Sequence, residues 1–113
     1  MNKVTMKPLS VNAAWKGRRF KTEAYKTFER GVLMLLPKIT VPEGLLVLRL
    51  EFGHSSKASD IDNGIKPFLD CLQKKYGFND NKIKLLMVAV NNNVKKGDEY
   101  IKFAIESVED LAA

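Results

Sequence analysis

Three aspartates and one lysine have the types and spacing to do chemistry. Asp60 and Asp62 lie two residues apart, Lys66 follows four residues on, and Asp80 sits in Gly77-Phe78-Asn79-Asp80-Asn81-Lys82-Ile83. Hard cations such as Mg²⁺ prefer carboxylate oxygens and keep several waters. An ion held that way lowers the pKa of a bound water, shields a phosphate and stabilises a leaving oxygen. A lysine beside it offsets the extra negative charge of a five-coordinate phosphorus. The set therefore suits metal-assisted phosphodiester hydrolysis. A bland alternative stands next to it: Asp62 caps a helix and Asp60 is merely solvated. A calcium loop is excluded, because Gly64 falls at loop position five rather than six and Cys71, not glutamate, stands at position twelve. One histidine, one cysteine and no glycine-rich elbow leave no nucleophilic triad, and there is no P-loop.

The elements that must position these groups follow from the pattern. Leu46, Leu48, Leu50 and Phe52 alternate with Val47, Arg49 and Glu51, so residues 45–52 read as a strand. A polar loop, 53–59, precedes the aspartates; His54 reads as exposed there. The Asp60–Asp62 segment reads as extended, which aims both carboxylates the same way. Ile65, Phe68, Leu69, Leu72 and Tyr76 then define a helix over 63–76. Pro67 is tolerated only near its start, and Gly77 closes it. Asp62 thus falls at the positive end of a helix, and Lys66 can pair with Asp70 one turn on. Cys71 flanks the apolar stripe as an inert, half-buried thiol. Residues 83–90 are almost continuously apolar and read as an interior strand covered on both faces. The strand-helix-strand length predicts a parallel crossover pair. Ile101, Phe103 and Ile105 mark a last strand, expected to form a hairpin with 83–90.

Upstream, Val4 to Val11 reads as a first strand, at an edge or interrupted because of Pro8. Thr22 caps a helix that buries Tyr25, Phe28, Val32, Leu35 and Leu36 and ends at Pro37. The order is β-α-β-α-β-β. The expected fold class is α+β (α/β-like): one small domain over 1–113, with a mixed sheet of about four strands and two helices.

Charge points to the partner. The 113 residues carry a net charge of +6, which favours a polyanion. Lys16, Arg18, Arg19 and Lys21 crowd a glycine-containing loop between Trp15 and Phe20. Cations there neutralise phosphates, while aromatics stack on bases or anchor the loop; the alternative is a solvated turn with both rings in the core. A hydrophobic share of 45% argues against disorder. No apolar run reaches the roughly 20 residues of a membrane span, and no leader is evident at Met1-Asn2-Lys3. A lone cysteine excludes an intrachain disulfide. A cytoplasmic setting without a membrane partner is expected.

The run Asp60-x-Asp62-Asn63-x-x-Lys66-Pro67-x-x-Asp70-x-Leu72, then Gly77-x-x-x-Asp80 leading into an apolar strand, resembles the RusA family of Holliday-junction resolvases. The resemblance covers residues 57–90 and extends more weakly to the basic segment Trp15–Lys21. It implies a small, phage-associated, dimeric endonuclease that cuts four-way DNA junctions by paired nicks with Mg²⁺, or Mn²⁺ in its place, in a bacterial or phage-infected cell. On this resemblance Asp60, Asp62 and Asp80 hold metal and Lys66 assists hydrolysis; Lys16, Arg18, Arg19 and Lys21 bind DNA. One departure is Asn79-Asp80-Asn81, where the family often has two adjacent acids. A non-catalytic DNA-binding protein and a nuclease for other branched DNA are the rival readings.

Overall fold

The computed structural model describes residues 1–16 and 20–111, Lys16 by its backbone only. Arg18 and Arg19, two of the expected phosphate contacts, lie outside the described residues, as does the side chain of Lys16. Strands are β1 (Asn2–Val4), β2 (Trp15–Lys16), β3 (Phe20–Lys21), β4 (Leu46–Gly53), β5 (Ile83–Asn91) and β6 (Tyr100–Ser107). Helices are α1 (Val11–Ala14), α2 (Glu23–Leu35) and α3 (Ile65–Tyr76). The class is α+β as expected, with a mixed four-stranded sheet ordered β1-β6-β4-β5 and a separate β2-β3 ribbon. The third helix, α1, is only four residues long; it begins at Val11, where the expected first strand was to end. Only Asn2–Val4 is strand, and it is at an edge. Pro8 has no N–H to give a ladder, so pairing does not extend through it.

Local signals place the two long helices. Thr22 Oγ1 accepts from the Tyr25 amide at 3.1 Å and caps α2; Glu23 adds a negative charge at the positive end. Gly77 closes α3 at φ 74, a conformation that glycine adopts without a Cβ penalty. Both helices bury their stripes on one face of the sheet. Phe28, Val32, Phe68 and Leu72 meet Leu48, Leu50 and Phe52 of β4 and Ile101 and Phe103 of β6 in one core cluster. Phe68 lies edge-on to Phe52 at 6.5 Å and to Phe103 at 5.7 Å.

β4 and β5 are parallel, as the crossover length predicts. The expected β5–β6 hairpin does not exist: β6 runs antiparallel to β4 on its other edge. The chain leaving β5 crosses the end of β4, where the His54 amide donates to the Asn91 carbonyl at 2.8 Å and the Val94 amide to the His54 carbonyl at 3.2 Å. Polar matching favours that neighbour. Arg49 pairs with Glu106, and Glu51 lies opposite Lys102, which reaches it at 3.8 Å; β5 could offer only Lys84. As a result β5 is an edge strand, not the interior strand expected from its apolar run, and its side chains are exposed or half-buried.

Tyr100 lies over the backbone of Gly53. A Cβ at residue 53 would come within 2.3 Å of the Tyr100 ring. Gly53→Ala is therefore expected to destabilise the fold by about 1–3 kcal/mol, the range for overpacking. Urea unfolding measures this, and Tyr100→Ala in the same chain should recover part of the loss.

Candidate functional site

Asp60, Asp62 and Lys66 lie together in sequence where the chain enters α3. The aspartates are not in extended backbone. Ile61–Gly64 form a turn, in which the Asp60 carbonyl accepts from the Asn63 amide and the Asp62 carbonyl from the Ile65 amide, both at 3.3 Å. The strand-like argument for parallel carboxylates therefore fails. Asp62 is not a side-chain cap either: Gly64 is the N-cap residue, and no side chain bonds the helix start. Both aspartates are exposed to solvent.

Lys66 pairs with Asp70 at 3.6 Å, as the spacing predicted. The Tyr25 hydroxyl donates to the same carboxylate at 3.1 Å. Asp70 thus ties Lys66 and α3 to α2. Burial and the neighbouring Asp70 charge push the Tyr25 hydroxyl far above its usual range, so it stays a donor.

Asp80 is elsewhere. It opens a 3₁₀ turn, Asp80–Lys82, where α3 has ended, and its amide donates to Gln73 at 3.0 Å. The next residue, Ile83, pairs with Leu46 at the start of β4, whereas Asp60 and Asp62 follow the end of β4. Twelve residues of α3 stand between the two places, about 18 Å at the helical rise. Among the described residues no group of three His, Cys, Asp or Glu side chains could hold a metal ion. Within one chain, Asp60 and Asp62 share a turn and Asp80 does not join them.

The loop before this turn is anchored by a residue that sequence reading missed. Glu99 is buried, and its carboxylate accepts from Ser55 Oγ and the Gly97 amide, each at 2.8 Å. Asn92 adds a bond to the Ser56 carbonyl at 3.0 Å. Nothing local to Asp98-Glu99-Tyr100 marks the glutamate as buried; the signal comes from a loop 44 residues away. His54 departs from expectation as well. It is half-buried near Phe52, and its Nε2 is shielded without a hydrogen-bond partner among the described residues. His54 lines a mostly apolar cavity of ≈ 650 Å³ with Met6, Leu9, Phe28 and Gly64. Cys71 is more buried than expected and its thiol is pushed up to about 12 by desolvation, so it is inert.

The basic segment is a ribbon rather than a plain loop: Trp15 pairs with Lys21 and Lys16 with Phe20. Trp15 packs edge-on against Tyr25 at 5.4 Å. Phe20, by contrast, is 71% exposed, so it is an aromatic at the surface and not a core anchor. Lys21 is engaged within the chain. It bonds Glu29 at 2.9 Å and lies 4.7 Å from the Tyr25 ring centre. Glu29 also receives Lys74 at 2.7 Å, joining the ribbon, α2 and α3.

These groups set an acid response. The hydrogen bond from Lys74 holds Glu29 below its ordinary 4.5, and the bond from Ser55 does the same for Glu99. Desolvation holds His54 below 6.5. In each case the unfolded chain binds more protons, so stability rises with pH. Each contribution is complete above the unfolded value and is lost as pH falls through the folded one. The melting temperature is expected to decline in two stages, first below 6.5 and then below 4.5. Calorimetry at stepped pH checks this; Glu29→Gln should shrink only the lower stage.

No helix among the described residues is long and apolar enough to cross a membrane. No family model matches the chain, and no curated protein sequence is similar to it.

Proposed function

We infer that the protein is a Mg²⁺-dependent endodeoxyribonuclease for branched DNA, with four-way junctions the leading substrate, and that it acts as a homodimer. The observation that carries this reading is the exposed acidic turn Asp60–Asp62 running straight into Lys66, in the pattern that resembles the RusA family. The net charge of +6 supports a nucleic-acid substrate.

Asp60 and Asp62 suit a hard cation, being solvent-facing carboxylates on one turn. When bound, Mg²⁺ would supply a water of lowered pKa and positive charge at the scissile phosphate. The chain's own residues orient and neutralise. Lys66, steadied by Asp70, places a cation on the first turn of α3 for the charge that builds on phosphorus. Lys16, Arg18 and Arg19 would grip the DNA backbone. Lys21 would contribute only by leaving Glu29.

A second reading has its own support. Because one chain does not gather three acids, a non-catalytic DNA-binding protein with the same turn is the rival. Cleavage of a synthetic four-way junction beside linear duplex, with Mg²⁺ or EDTA, separates the two. Symmetric Mg²⁺-dependent nicks on the junction are the expected result; tight binding with no cut in Mg²⁺ or Mn²⁺ would favour the binder. Arg18→Ala is expected to weaken binding and to reduce the salt slope by about one. Unchanged affinity across a salt series would remove the ribbon from the DNA site.

A further inference from the structure

α2 carries a glycine in its interior, Gly31, at a cost of about 1 kcal/mol against alanine. A Cβ there would collide with Met6, in the segment before α1. With Ala13, Ala24 and Gly64, Gly31 leaves room for the mostly apolar cavity of ≈ 650 Å³. Packed interiors leave few voids larger than a water, whereas this volume is in the range of pockets that hold small molecules. The cavity adjoins the acidic turn. Ser59 directly precedes Asp60, Asn63 and Gly64 directly follow Asp62, and all three line it. The turn is held against α1, because the Asn63 carbonyl accepts from the Val11 amide at 2.7 Å.

The lining sets the chemistry of an occupant. An ionic group among Met6, Leu9 and Phe28 would lose its hydration without an ion pair in return, since the cation of the lining, Lys7, is exposed at the rim. A wholly apolar molecule would leave His54 Nε2 unsatisfied; that atom is shielded and has no partner among the described residues. Desolvation keeps the imidazole neutral at pH 7, able to give or take one hydrogen bond. A neutral, flat heteroaromatic ring with a hydrogen-bonding edge meets both demands. A DNA base is such a ring, and a phosphate engaged at the acidic turn would carry one on the adjoining sugar.

We propose that the cavity receives one base unstacked from the branch point of the DNA, and that this selects branched DNA over linear duplex. The inference rests on the branched-DNA reading above. Taking a base out of a duplex costs a few kcal/mol, and least where the base is already unpaired or unstacked. A branch point offers such a base; a linear duplex must first be broken. Inside the cavity the base edge supplies the partner that His54 Nε2 lacks. Leu9 and Phe28 replace the neighbours that the base leaves, and Lys7 at the rim suits the next phosphate.

Four-way junctions with 2-aminopurine at each branch-point position in turn test this, since that base brightens on leaving the stack. The full chain is added with Ca²⁺ replacing Mg²⁺ to hold off cutting. One position should brighten several-fold, and the same label within linear duplex should not. Ala24→Phe combined with Thr27→Phe narrows the cavity from two exposed positions of α2, so the melting temperature should hold. Both the brightening and the preference for the junction should then be lost. An abasic site at the brightened position gives a second measurement that needs no altered protein. It should weaken wild-type binding by about 10-fold, the worth of one stacked base, and should cost the double variant nothing. A chain that prefers the junction without any brightening, or brightens it equally as the double variant, or binds the abasic junction as tightly, overturns the cavity and leaves the branched-DNA reading standing. Equal affinity for junction and linear duplex, or binding to neither, overturns the branched-DNA reading and this inference with it. Brightening and an abasic loss without cutting in Mg²⁺ support the cavity and overturn only the nuclease activity.

Discussion

Asp62→Asn is expected to lower junction cleavage by more than about 100-fold, the upper end of what losing an outer-shell metal partner costs. Junction binding should stay equal or tighten, because a negative charge is removed from the surface proposed to meet phosphates. The structure makes this a clean substitution. Asp62 is exposed, and only its backbone carbonyl takes part in the turn, accepting from Ile65. Asparagine has nearly the same shape and leaves that carbonyl in place. Stability should therefore move by no more than about 0.5 kcal/mol, and an unchanged melting temperature is the control. Cleavage by the variant at the wild-type rate would remove Asp62 from the chemistry. Loss of binding together with cutting would make the turn a DNA-docking element. Only retained binding with lost cutting supports the metal role.

The parts of the fold that sequence reveals are those with local causes. Thr22 and Pro37 bound α2 because a hydroxyl cap and a missing N–H act within a few residues. Gly77 ends α3 for the same kind of reason. The parallel β4–β5 pair was legible from connection length. The place of β6 was not, because alternating Ile101, Phe103 and Ile105 say which face is buried and not which strand lies alongside. That choice rests on Arg49 with Glu106 and Glu51 with Lys102, pairs more than 50 residues apart. β5 shows a further ambiguity: a strand covered on both faces and an edge strand with exposed side chains share the same apolar pattern. For the site, Lys66–Asp70 was readable from helical spacing. The distance of Asp80 from Asp62 was also readable, since a 12-residue helix between them cannot bring its two ends together. The turn at Ile61–Gly64 was not readable, because Asp-Asn-Gly fits either a turn or an extended lead into a helix.

Phe68→Ala is expected to cost about 3–5 kcal/mol in urea unfolding, the range for deleting a buried aromatic ring. Phe68 is fully buried at the point where α3 crosses β4 and β6, with Phe52 and Phe103 edge-on to it. Truncation would remove both aromatic contacts and open a cavity that no loop can fill, since its neighbours belong to one helix and two central strands. A loss of that size is a large share of the 5–15 kcal/mol that typical domains have. Phe68→Leu should cost less, because it retains most of the volume. Ile61→Ala, at an exposed position of the acidic turn, should be close to neutral and serves as the comparison. The experiment bears on function because Phe68 pins the helix that separates Asp62 from Asp80. A cost below about 1 kcal/mol would mean that α3 is not fixed on the sheet. Even then the length of α3 would keep Asp62 and Asp80 apart within one chain.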